Sequence, residues 1–355
     1  MTTSARRATL AALLCAAIVG CGGGGDEEPA APPTSAAPPA TETTAAPTTG
    51  APTTVPPPPV APLTGQLLGD EALRGRPAIV VKVDDSPRAL GMQEGIDVAD
   101  LVFVERVEGG ALRLAAVYHS TNATTGPVRS ARTSDLGLTG NLGRPLFVFS
   151  GANGGVLGMV RGHNLVDLGY DTDPALYRER GRGLLRFFVD TAEIAGRAPE
   201  GAGPPVQQLA YRDPDAPVAN AGAEPATRVT IRYPGSPGTT VEYRDEGAGW
   251  ARLQGGTPHV VRSGDRVAPD NVIVQFVGYR SSGFVDVTGA ISPEAVLTGE
   301  GDAWIFTGGQ LVRSRWSRAD LGALTTYTDP DGQPVRLAPG TTWIELADPG
   351  TATLG

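Results

Sequence analysis

The chain has 355 residues, 40% of them hydrophobic, and a formal net charge of −9. An acidic balance of this size argues against nucleic acid as a partner. Two cysteines, Cys15 and Cys21, give no disulfide framework.

Residues 1–20 read as a secretory signal peptide: Arg6 and Arg7, an apolar stretch over 10–19, then small residues before a cut site. The apolar stretch is about ten residues long, whereas a bilayer span needs ~20. A cysteine directly after small residues at such a cut is the bacterial lipobox pattern, so Cys21 is expected to become the lipidated first residue of the mature chain. That places the protein on the extracytoplasmic face of the bacterial cell membrane, anchored there by its N-terminal lipid. Losing Arg6 and Arg7 takes the net charge from −9 to −11. Losing Cys15 and capping Cys21 leaves no thiol for catalysis. Residues 21–65 are dominated by Pro, Thr and Ala and read as a disordered spacer. At ~3 Å per residue it would reach on the order of 100 Å.

The first folded block, 66–200, reads as a mixed α/β (α+β) domain. Residues 77–83 form an apolar, β-branched run ending at Asp84-Asp85-Ser86-Pro87, which predicts a buried strand and a turn. Strands are predicted over 101–107 and 112–118, with Glu108-Gly109-Gly110 as the hairpin turn between them. A helix is predicted over 130–142, a strand over 146–150, and short helices over 154–161 and 190–197. Residues 201–226, rich in Pro, Ala and Gly, read as an inter-domain linker. The smaller block, 227–355, alternates apolar and polar residues at period two between Gly-rich turns, so it is expected to be mostly β.

Candidate chemistry concentrates in the first block. Asp84 and Asp85 stand at the carboxyl end of a predicted buried strand, where α/β sheets bind ligands, or they cap a turn. Lys82 is the only lysine in the chain. Inside an apolar strand it is either a base with a shifted pKa or a partner of Glu105 or Asp84. Glu105, Glu108, Arg113, Arg129 and Arg132 form one constellation with two readings: a bidentate Arg–Glu network holding elements together, and a site for a carboxylate or phosphate. The histidines lack zinc-binding spacing, and no metal or cofactor is expected. Ser150-Gly151-Ala152-Asn153-Gly154-Gly155 is a Gly-rich strand-to-helix loop without a nucleotide-binding fingerprint. Trp304, Trp316 and Trp343 read as core, with a sugar-stacking face as the alternative.

Several segments together resemble the YerB-like bacterial lipoprotein family, a two-domain family of unknown function. They are Val98-Ala99-Asp100, Val104-Glu105-Arg106-Val107-Glu108-Gly109-Gly110, Gly126-Pro127-Val128-Arg129-Ser130-Ala131-Arg132, Asn271-Val272-Ile273-Val274-Gln275, residues 301–316 and residues 337–344. The resemblance covers nearly all of the folded chain and implies an anchored, two-domain, extracytoplasmic protein without an established reaction. A similar protein carries His-Asn four residues before the segment matching Val189-Asp190-Thr191, where this chain has Leu185 and Arg186. A histidine-based mechanism is therefore not expected here. The leading expectation is a non-enzymatic binding or docking module for a cell-envelope protein or glycan, contacting it through the Arg/Glu cleft. The alternative is an envelope hydrolase or transferase using Asp84, Glu105 or Glu108 as acid and base.

Overall fold

Continuous apolar runs in the central strands, with period-two alternation in the outer strand Gln310–Arg318, build a large mixed sheet. The computed structural model describes residues 59–355 except residue 287, so the signal peptide, Cys21 and most of the spacer lie outside it. The strands lie in the spatial order Glu224–Pro225, Gln310–Arg318, Gly299–Thr307, Asn271–Phe276, Thr342–Ala347, Leu101–Arg106, Leu112–Tyr118, Ile79–Asp84, Leu146–Val148 and Val166–Asp167, with Thr326–Thr328 beside Gln310–Arg318. Strands from both sequence blocks meet in it. Thr342–Ala347 runs parallel to Leu101–Arg106 on one side and to Asn271–Phe276 on the other, with Leu101 and Asn271 both opposite Thr342.

Alternation assigns each side chain to a face. Val81, Val83, Val102, Val104, Leu114 and Ala116 pack against Val229, Ile231, Val241, Tyr243 and Trp250 of a second, five-stranded sheet. That sheet comprises Thr257–Pro258, Trp250–Gln254, Thr239–Asp245, Arg228–Tyr233 and Ala352–Leu354. On the other face Val80, Ala115, Val117, Ile273, Ile305 and Ile344 pack against Leu136, Leu138, Val156 and Val160 from two short helices. Burying both faces is what lets the central strands be apolar almost throughout.

Two sequence expectations are corrected. The first block is mostly β rather than mixed α/β: its helices are only Ser134–Thr139, Gly154–Arg161 and Thr191–Ala195. The helix expected over 130–142 is confined to Ser134–Thr139. Arg129 N–H donates to Lys82 O (2.8 Å) and Ala131 N–H to Gly151 O (2.9 Å), and the helix begins only after Thr133, its N-cap residue. Gly140, a poor helix former, follows its last turn. The stretch 201–226 is also no free linker. Ala210–Tyr211 pairs with Arg336–Leu337, and Glu224–Pro225 supplies the edge strand of the large sheet.

Candidate functional site

The Ile79–Asp84 strand carries Lys82 and Asp84 on the helix-bearing face, in alternation with Val81 and Val83. Glu105 and Arg113 are cross-strand partners on that same face. Lys82 Nζ lies 2.5 Å from Glu105 Oε1 and 2.7 Å from Asp135 Oδ1, and all three side chains are fully buried. Burial works against the lysine's charge, but Asp135 and Glu105 outweigh it and its pKa rises. Asp135 is pushed up to about 6 by burial and by Glu105, against the pull of Lys82.

Next to this triad, three guanidiniums converge. Arg129 Nη1 binds the fully buried Asp84, whose Oδ1 also accepts Ser86 N–H at 2.7 Å. Arg132 grips Glu108 through two parallel bonds, Nε to Oε1 and Nη2 to Oε2, both 2.8 Å, and Ser292 Oγ donates to Glu108 as well. Burial would raise the Glu108 pKa, but Arg132 and Ser292 hold it below the usual value. Arg113 is the least engaged. It donates to Leu112 O (3.1 Å), its Nη1 stands 3.8 Å from Asp84, and its Nε has no hydrogen-bond partner among the described residues. Burial lowers its pKa to about 10; Arg129 and Arg132 add to that effect while Asp84 opposes it. The Arg129 and Arg132 side chains keep 15% and 13% of their surface exposed, so the cluster opens to solvent.

The expected constellation is thus assembled with one member reassigned. Glu105 pairs with Lys82, so the ion-pair partners of Arg113, Arg129 and Arg132 are Asp84 and Glu108, while Arg132 also feels the charges of Glu105 and Asp135. The Gly-rich loop borders the cluster: Ser150 N–H donates to Arg129 O, and Asn153 caps the following helix at Gly155 N–H.

Asp85 joins a second polar network that sequence reasoning missed. It sits between the two sheets, where Arg252 reaches Asp85 with Nη2 at 2.7 Å and Nη1 at 3.2 Å. Arg252 also lies 2.6 Å from His259 Nδ1 and 3.6 Å from Glu345. His259 Nε2 meets Gln93 Oε1 at 2.8 Å, and Glu345 accepts hydroxyls from Tyr233 (2.5 Å) and Tyr243 (2.7 Å). Burial pushes Asp85 and Glu345 upward, opposed by Arg252. The visible signal was Arg252 and Gln254 on a strand whose every residue is buried, but neither names its partner.

Trp316 and Trp343 are core. Trp304 is half-buried and lines a groove of about 820 Å³ with Asp302, Arg313 and Arg315, and the Arg313 guanidinium sits 5.1 Å over its ring. His119 and His259 are buried. Among the described residues no group of three or more His, Cys, Asp or Glu is placed to hold a metal. Leu185 ends a short turn, and Arg186 stacks 4.4 Å over Phe187 at the surface.

Comparison with known proteins gives a family and a fold. A crystal structure of YerB from Bacillus subtilis is similar to this chain, with a TM-score of 0.69 and 23% identity over 83% of this chain and 99% of that one. No curated protein matches. Residues 63–201 match the N-terminal domain, and residues 229–344 the C-terminal domain, of a protein family of unknown function, DUF3048. The chain therefore belongs to the DUF3048 family of YerB-like two-domain proteins.

Proposed function

We propose that this protein is a non-enzymatic binding module of the bacterial cell envelope, tethered through a lipid on Cys21, and that the Arg113/Arg129/Arg132 cluster takes an anionic oxygen group of its partner. The observation that supports this reading is the convergence of three guanidiniums. Arg113, Arg129 and Arg132 meet around Asp84 and Glu108 in a largely buried place where Arg129 and Arg132 still reach the surface, on a chain whose overall charge is −9. Arginine forks suit carboxylate and phosphate oxygens, and partial desolvation strengthens each such bond. The acid–base alternative has weaker support. Asp84, Glu105 and Glu108 each have a cation in contact, so none stands free beside a space for substrate.

Co-sedimentation of the full chain with isolated cell walls tests the module. Binding is expected in the unaltered protein and is expected to drop at least tenfold in Arg113→Gln. Equal binding by the two would remove the cluster from the contact. Hydrolysis of wall fragments, abolished by Glu108→Gln, would reverse the reading in favour of an enzyme. Mass spectrometry of the mature N-terminus tests the anchor, because a first residue other than an acylated Cys21 contradicts it.

A further inference from the structure

We propose that Lys82 and Asp135 become joined by an intramolecular amide bond, formed once per molecule with Glu105 as the proton carrier. Lys82 offers the only side-chain amine in the chain. It is fully buried, with Nζ 2.5 Å from Glu105 Oε1 and 2.7 Å from Asp135 Oδ1. The amine stands against that carboxyl group at ion-pair distance, and Asp135 Oδ1 has no other partner among the described residues. Asp135 Oδ2 accepts Arg132 N–H at 2.7 Å, a backbone donor aimed at the oxygen that would carry charge in a tetrahedral intermediate. Glu105 Oε2 has no hydrogen-bond partner among the described residues and is open to receive a proton.

The charges explain why condensation is favoured over a permanent ion triad. One ammonium and two carboxylates stand in a site without exposed surface, with Arg132 as a further cation beside them, and protonating one acid relieves the repulsion between the carboxylates. Asp135, pushed up to about 6 by burial and by Glu105, supplies that acid through its protonated fraction, a minority at neutral pH. From this state Lys82 passes one proton to Glu105, and its neutral Nζ attacks Asp135 Cγ. The N–C bond forms and the carbonyl electron pair moves to Oδ2 under the Arg132 N–H. A second proton leaves nitrogen and is delivered through Glu105 to the Oδ1 hydroxyl. The Cγ–Oδ1 bond then breaks, and water departs. What remains is an amide and a protonated Glu105, with no charge left in the interior. Lys82 holds its proton more firmly than an ordinary lysine, because the carboxylates outweigh burial. The attacking form is therefore scarce and the step slow. A bond made once, between groups held in contact, tolerates that.

The full chain, purified, denatured and cut with an arginine-specific protease, gives the test by mass spectrometry. The peptides carrying Lys82 and Asp135 are expected as one branched species, lighter than their sum by one water. Denatured protein is expected to show no Lys82 amine accessible to an amine-modifying reagent. Two linear peptides of full mass, with a labelled Lys82, would overturn the proposal, and this result needs no variant to fold. Glu105→Gln is expected to restore the linear peptides, and Asp135→Asn to release ammonia in place of water. A branched species undiminished in Glu105→Gln would remove Glu105 from the role assigned to it.

Discussion

Replacing Arg252 by methionine tests how the two sheets are held together. Met keeps the length and much of the apolar stem of Arg252 but removes a fully buried guanidinium that serves Asp85, His259 and Glu345 at once. The variant would strand two carboxylates in the interior, and breaking a buried pair costs ~3–5 kcal/mol. Against a typical total of ~5–15 kcal/mol, that is a large share. The pH dependence follows from sign. Both carboxyls already titrate above their ordinary values because of burial, with Arg252 opposing. An acid raised in the folded state contributes stability that is present below its unfolded pKa and lost as pH rises through its folded pKa. Removing Arg252 raises both folded values further, so the deficit is greatest near neutrality and shrinks in acid, where the carboxyls are protonated. Urea denaturation of both proteins at about pH 8 and about pH 5 measures the difference. A deficit under about 1 kcal/mol at the higher pH, or one that does not shrink at the lower pH, would refute the assignment of this network as a load shared between charges.

Two further outcomes follow from neighbouring features. His259 is held far below its ordinary 6.5, first by burial and then by Arg252 and Arg266. A depressed pKa contributes stability above the unfolded value that is lost as pH falls, so folding should weaken below about pH 6.5 by up to ~1.4 kcal/mol per pH unit for the full proton. His259→Gln should flatten that limb in pH-dependent melting, and an unchanged limb would assign the acid sensitivity elsewhere. Gly110, at φ +79°, leaves no room for a side chain: a Cβ would stand 2.6 Å from Pro234 O and 2.7 Å from Gly235 Cα. Gly110→Ala should cost about 2 kcal/mol or more in denaturant midpoint, through backbone strain and contact with an unyielding neighbour. A loss under about 0.5 kcal/mol would mean the Glu108–Gly110 turn shifts freely against residues 234–235.

Strands and their faces were largely legible in the sequence because burial on one or both sides writes period two or a continuous apolar run. The Ile79–Asp84, Leu101–Arg106 and Leu112–Tyr118 strands and the Glu108–Gly110 turn all lie where the pattern put them. The helix over 130–142 was over-read. Its apolar spacing is real, but the helix runs only from Ser134 to Thr139, between Thr133 and Gly140, and the residues before it lie against Lys82 and Gly151, which are distant in sequence. The sharing of one sheet by both sequence blocks was hidden for the same reason: the parallel pairing of Thr342–Ala347 with Leu101–Arg106 spans most of the chain. At the site, the residue types were readable and the pairing was not. The sequence leaves Lys82 a choice between Glu105 and Asp84 and does not point to Asp135; the structure pairs it with Glu105 and Asp135. Arg252, which holds Asp85, stood in the other block.

Arg113, Arg129 and Arg132 are together proposed to receive an anionic group. Calorimetric titration of the full chain with inorganic phosphate tests it most directly, compared with Arg113→Gln, the variant that disturbs the fewest internal bonds. A saturable heat is expected in the unaltered protein, with affinity at least tenfold weaker in the variant while the melting temperature stays close to that of the parent. No saturable heat in the unaltered protein, or the same heat in both, would contradict it.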